Sequence, residues 1–98
     1  MTLNKSQRQH LRSLAHHLNP VVIIGGAGLT DHVMAEIDNA LSHHELIKVR
    51  VNAGDRIERT DMIAKIIART SAEAIQTIGH IVVLFRRAEK PVIQLPKK

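Results

Sequence analysis

The sequence predicts a mixed α/β fold of the two-layer α+β kind, ordered α-β-α-β-α-β-β around a four-stranded mixed sheet. Three observations lead there. Segments with helical spacing of apolar residues alternate with short β-branched runs. A glycine-rich break separates the first such run from the helix that follows it. The last two runs are divided only by Gly79 and His80, the spacing of a hairpin.

The elements follow in order. From about Asn4 to Leu18, Leu11, Leu14, Ala15 and Leu18 recur at helical spacing and form one apolar face. Lys5, Arg8, Arg12 and His16 step by three and four residues and line a neighbouring face, which is expected to point outward as a basic stripe. Asn19-Pro20 ends the helix, because proline disfavours helical geometry in the residue before it. Val21 to Ile24 reads as a short buried strand. After the glycines, Thr30 is a good N-cap for a helix from about Asp31 to His43, with Val33, Ile37, Ala40 and Leu41 inward. Leu46 to Val51 alternates with period two, Ile47, Val49 and Val51 on one side and Lys48 and Arg50 on the other. Asn52 to Asp55 is a loop, and a third helix is expected over Ile57 to Thr70 with Ile63, Ile66 and Ile67 inside. Ala74 to Ile78 and Ile81 to Arg86 are the hairpin strands, and Pro91 to Lys98 is a tail with no assigned element. With 98 residues and no linker or repeat, one domain spanning 1–98 is expected.

Composition narrows the function. There is no cysteine, which removes disulfide, thiol and Cys-zinc chemistry. The run from Met1 to Lys5 leads into a polar stretch with no apolar signal core, and Val21 to Ile24 is far too short to span a bilayer, so a cytoplasmic protein without a membrane partner is expected. Fourteen Lys and Arg stand against nine Asp and Glu, a net charge of +5, and the pI near 10.3 suggests a polyanionic partner. The charge is uneven: Asp31, Glu36, Asp38 and Glu45 share a stretch with no Lys or Arg, while the flanking regions are basic. Phe85 is the single aromatic among Phe, Tyr and Trp. A platform for stacking unpaired bases needs several such rings, so nucleic acid would be met through phosphates, sugars and shape.

Gly25-Gly26-Ala27-Gly28 is the sharpest feature. Glycine lets a backbone approach a ligand closely, and the free N–H groups at a helix start attract phosphate oxygens. No lysine follows as a Walker A loop demands, and the third glycine of a dinucleotide fingerprint is missing. What remains is GxxG, the spacing that clamps nucleic-acid backbone in KH domains. A tight strand-to-helix turn is the plain alternative.

Val21 to Thr30, with its GxxG-L-T sequence, resembles the signature of the CRM domain, named for chloroplast RNA splicing and ribosome maturation. His44-Glu45-Leu46-Ile47-Lys48-Val49 is similar to that family's second-strand motif, and Ile78-Gly79 and Leu84-Phe85-Arg86 to its final hairpin. Phe85 stands where a tyrosine is frequent, and Gly26 and Ala27 lack the basic residue often found in plant members. The resemblance covers nearly the whole chain and points to the stand-alone bacterial form. It implies a topology like the C-terminal domain of the bacterial initiation factor that blocks subunit joining. It also implies association with precursors of the large ribosomal subunit, with Gly25, Gly26, Ala27 and Gly28 on RNA backbone and Lys48 and Arg86 nearby. Lys5, Arg8 and Arg12 join this list from helical periodicity, and Arg50 and Arg87 as neighbouring cations.

Seven histidines form no H-E-x-x-H pattern, and no metal or other cofactor is expected. The serines lack a nucleophile-elbow context and the carboxylates read as solvated helix faces, so neither an enzyme nor a small-molecule substrate is expected. The leading expectation is a monomeric RNA-binding protein whose partners are ribosomal RNA and large-subunit precursor particles. The alternative is a protein-interaction module docking through the acidic second helix without touching RNA.

Overall fold

The structure, a computed structural model, describes residues 2–97; Met1 and Lys98 lie outside the described residues. Its elements are α1 (Lys5–Ala15), β1 (Pro20–Ile24), α2 (Asp31–His44), β2 (Leu46–Val51), α3 (Arg56–Thr70), β3 (Glu73–Ile78) and β4 (Ile81–Phe85). The four strands form one sheet in the order β1-β2-β4-β3. β1 runs parallel to β2, with Ile24 beside Val51. β4 lies antiparallel to both β2 and β3, with Phe85 opposite Leu46 and Ile81 opposite Ile78. Gly79, at φ +56°, takes the first position of the two-residue turn between β3 and β4, where a positive φ suits the hairpin twist.

The element order and the mixed sheet are those the sequence predicts. The layering differs, because helices cover both faces rather than one. On one face Met34, Ile37 and Leu41 of α2 and Ile66 of α3 pack with Ile24, Ile47, Val49, Val51, Val82 and Leu84. On the other, Leu11 and Ala15 of α1 pack with Leu46, Ile75, Val83 and Phe85. β4 serves both: its residues alternate between the two clusters, so the strand reads as a continuous apolar run. In β3, neighbouring Ala74 and Ile75 point to opposite faces and join one cluster each.

The helix starts are closed locally. Asn4 and Gln7 form a reciprocal capping box on α1, with Gln7 N donating to Asn4 Oδ1 at 2.7 Å and Asn4 N donating to Gln7 Oε1 at 3.0 Å. Asp55 and Glu58 do the same for α3, which begins one residue earlier than expected. α1 is shorter than its spacing predicts. Leu14 and Leu18 are each 37% exposed and line a shallow apolar groove with Val21, Leu46 and Ile93 instead of extending the core.

One buried acid organises the far side of the sheet. Glu45 follows α2 with φ +61°, a conformation that favours glycine, and its N–H donates to Leu41 O. Its side chain is fully buried. Oε1 accepts from the amides of Val92 (2.7 Å) and Ile93 (2.6 Å), and Oε2 from Ala88 (2.8 Å). The Arg87 guanidinium lies 3.5 Å from Oε2 and donates to Ile93 O at 2.6 Å. The segment read from sequence as a tail is thereby drawn over α1. Ile93 and Leu95 join that cluster, and Gln7 Nε2 donates to Pro96 O at 3.0 Å. Burial pushes the Glu45 carboxyl up, but the three amide donors and Arg87 outweigh it, and its pKa lies below the ordinary 4.5.

Glu45→Ala should cost roughly 3 kcal/mol or more in denaturant unfolding, since it strands three amides and a half-buried guanidinium. Glu45→Gly relieves the backbone strain yet should still be destabilising. The folded carboxyl titrates below its unfolded value, so its contribution is full above about 4.5 and is lost as pH falls through the folded value. The stability gap between wild type and Glu45→Gln should therefore narrow below about pH 4.5, and a gap unchanged between pH 7 and 3 contradicts this account.

Candidate nucleic-acid interface

The glycine loop leaves the end of β1. It closes as a turn, with Gly28 N donating to Gly25 O at 2.9 Å, and Thr30 then caps α2 by accepting from Val33 N at 3.1 Å. Asn52 N donates to Ile24 O at 2.8 Å, fixing the loop against the segment that leaves β2. Among the described residues, the amides of Gly26, Ala27 and Leu29 donate to no protein acceptor. Gly25, Gly26 and Ala27 are exposed.

The three glycines differ in why they are glycine. Gly28 has φ +74°, where any Cβ brings strain. Gly25 and Gly26 lack a positive φ, and a Cβ built on either meets nothing within 4 Å. The fold does not require glycine at those two positions. Close approach of a ligand backbone does supply a reason.

The cations expected at the site fall into two groups. Arg12 and Lys48 are half-buried on the α1 side of the sheet and share a small cleft of about 140 Å³ with His16 and Gln76. Arg50 is exposed beside the glycine loop, its Nε donating to Asn52 Oδ1 at 3.0 Å. Lys5 is exposed in the first turn of α1. The other three are engaged within the protein. Arg8 donates to Glu73 Oε2 and to Ala74 O, both at 2.9 Å, pinning α1 to β3. Arg86 donates to Asp38 Oδ1, Asp38 O, Ser42 Oγ and Thr70 O, joining β4 to α2 and to the last turn of α3. Arg87 serves the Glu45 junction.

Position also separates Arg50 from the engaged arginines. The glycine loop sits at the Ile24–Val51 end of the sheet, whereas Arg86 and Arg87 follow Phe85, which pairs with Leu46 at the opposite end. Five residue steps along β2 separate them, roughly 17 Å. The expectation that Arg86 lies near the loop is therefore corrected by the antiparallel course of β4, and the outward basic stripe on α1 loses Arg8 to Glu73.

Three residues at the loop end were not singled out from sequence. Arg56 and Arg59 lie in the first turns of α3, and His80 lies in the hairpin turn. A signal was there to read: two arginines at a helix start run against the helix dipole, which favours acids there.

The acids around α2 divide: Asp38 is held by Arg86 and Glu45 is buried, while Asp31, 3.8 Å from Arg69, and Glu36 stay exposed. Among the described residues no three His, Asp or Glu side chains group to hold a metal ion, and no helix is long and apolar enough to cross a membrane.

Comparison with known proteins adds relatives to this geometry. The model of the CRS1/YhbY (CRM) domain matches residues 3–86. A protein of Haemophilus influenzae named "RNA-binding protein" is 57% identical over 97 residues, covering 99% of this chain and 98% of that one. The Bacillus subtilis "Probable RNA-binding protein YqeI" is 35% identical over 95 residues, covering 96% and 99%. The solution structure of protein SAV1595 from Staphylococcus aureus superposes with a TM-score of 0.82 at 32% identity, covering 97% of this chain and all of that one.

The glycine loop and the arginine tie separate by stability. Gly25→Ala and Gly26→Ala should leave stability unchanged or raise it by about 0.4–1 kcal/mol through the unfolded chain, whereas Gly28→Ala should lower it by about 1 kcal/mol. Arg86→Ala should cost roughly 2–3 kcal/mol, and Arg50→Ala less than about 0.5 kcal/mol. Urea melts of these variants decide both points, and an Arg86→Ala protein as stable as wild type contradicts the structural role.

Proposed function

The chain belongs to the CRS1/YhbY (CRM) domain family, and on that premise we propose that it is an RNA-binding protein acting in large ribosomal subunit assembly. The observation that carries this reading is a loop containing two glycines the fold does not need, with unpaired amides, on a sheet whose Arg50, Lys48 and Arg12 form no ion pair among the described residues. Amides of the Gly25–Gly28 turn would donate to phosphate oxygens, and Arg50, Lys48 and Arg12 would continue the contact along the sheet. Such contacts hold backbone and shape without reading sequence. The names of its relatives support RNA as the partner, and the family resemblance supports ribosomal RNA precursor in particular.

The mechanism is chaperone-like and involves no chemical step. A single basic domain holds one conformation of the precursor RNA in the cytoplasm until later proteins bind, then leaves. Occupancy by phosphate contacts is suited to this, because many modest, exchangeable contacts release without a large barrier.

Sedimentation of the native protein in cell extract at rising salt tests the proposal. Co-migration with free large-subunit precursors, lost progressively as salt rises, is expected. Sedimentation only at the top of the gradient at low salt overturns the ribosomal reading. With purified protein and a structured RNA, replacing both Arg12 and Lys48 with alanine should reduce the slope of log affinity against log salt by about 1.5, at roughly 0.7–0.9 per phosphate contact.

A further inference from the structure

A second concavity opens at the loop end of the molecule, on the opposite face of the sheet from α1. It lies between the first half of α3 and the β3–β4 turn and has a volume of about 560 Å³, within the roughly 300–1,000 Å³ of small-molecule sites. Ile63 gives it apolar wall; Arg56, Arg59, Thr60 and His80 give it polar groups.

Those polar groups have a definite donor and acceptor sense. Neither Arg56 nor Arg59 has a carboxylate within 4.0 Å among the described residues. Arg59 donates once, to Gly54 O at 3.1 Å, and keeps its remaining N–H groups. His80 Nδ1 lies 3.1 Å from Val51 O. A carbonyl only accepts, so Nδ1 carries the hydrogen and the neutral ring presents Nε2 as an acceptor. Thr60 Oγ1 donates to Arg56 O at 2.9 Å, which leaves its lone pairs open. The cleft thus offers two cations, two acceptors and an apolar wall.

We propose that this cleft takes one unpaired ribonucleotide of the bound RNA. The inference rests on the RNA-binding reading above and assigns it a specific subsite. Arg56 and Arg59 hold the phosphate, Ile63 flanks the base, and Nε2 of His80 or Oγ1 of Thr60 accepts from the ribose 2′-hydroxyl. An acidic side chain satisfies the arginines but carries no hydroxyl of its own for the two acceptors. A ribonucleotide supplies both. The scarcity of aromatics is compatible with this, because one nucleotide needs a slot, not a stacking platform. Val51 is followed by Asn52, which is bonded to the carbonyl before the glycine loop, so RNA seated on that loop lies within reach of the cleft.

The test compares a fully paired RNA hairpin with the same stem carrying one bulged nucleotide, using fluorescence anisotropy and the full chain. Wild type should bind the bulged stem about tenfold tighter. Arg56→Ala with Arg59→Ala should abolish that preference while retaining the paired stem. Arg56→Ala alone, which breaks no contact in the protein, should reduce the preference, and a 2′-deoxy bulge should weaken wild-type binding about threefold. Equal affinity of wild type for the two stems, or a preference that survives the double substitution, overturns the cleft assignment and leaves RNA binding standing. Failure to bind either RNA overturns both readings.

Discussion

The α1 side of the sheet depends on a carboxylate buried where α2 meets β2. Glu45 stands in a backbone conformation that glycine fills at least expense, and it stands there as glutamate because of what its side chain holds. Three amides and a guanidinium from the chain beyond β4 converge on it, more than forty residues along the sequence. With that segment fixed, Ile93 and Leu95 complete an apolar cluster that α1 and the sheet leave open. Without it, α1 would keep its contacts to β3 through Arg8 but lose the cover over Leu46 and Phe85. Backbone strain, burial of charge and ordering of a non-helical segment are thus offset by a single set of hydrogen bonds, each made to an ionised acceptor and therefore stronger than the neutral kind.

The division of the arginines follows from the same geometry. At the Leu46–Phe85 end, Arg8, Arg86 and Arg87 each find an acid and a carbonyl and become internal fasteners. At the Ile24–Val51 end, Arg50, Arg56 and Arg59 find carbonyls or amide oxygens at most. The arginines of one end serve as internal fasteners, and those of the other form no ion pair among the described residues. The net charge of +5 favours polyanions in general, and arginines without an acid partner keep their donors for one.

Most of the fold was legible because it rests on short-range periodicity. The two-fold alternation of Leu46 to Val51 and the helical spacing of Ile63, Ile66 and Ile67 each answer to one local rule. The expected α1 runs too far because Leu18 keeps helical spacing with Leu11, Leu14 and Ala15 past the point where the chain turns, and the layering is hidden because a strand buried on both faces carries no alternation to reveal it. At the site, the glycine loop announced itself by composition. Arg86 and Arg8 were misread because a cation's role is set by partners distant in sequence, Asp38 and Glu73, that no window contains. Arg56 and Arg59 were passed over because helical residues invite a reading by buried face rather than by end. Composition counts charges but does not say which are already neutralised.

The bond from Gln7 to Pro96 brings the two ends of the described chain side by side, and it does so at the end of the sheet remote from the glycine loop. Copies joined end to start by a short connector would each keep the glycine-loop end unobstructed, so the fold lends itself to concatenation, with the spacing between successive loops governed by connector length.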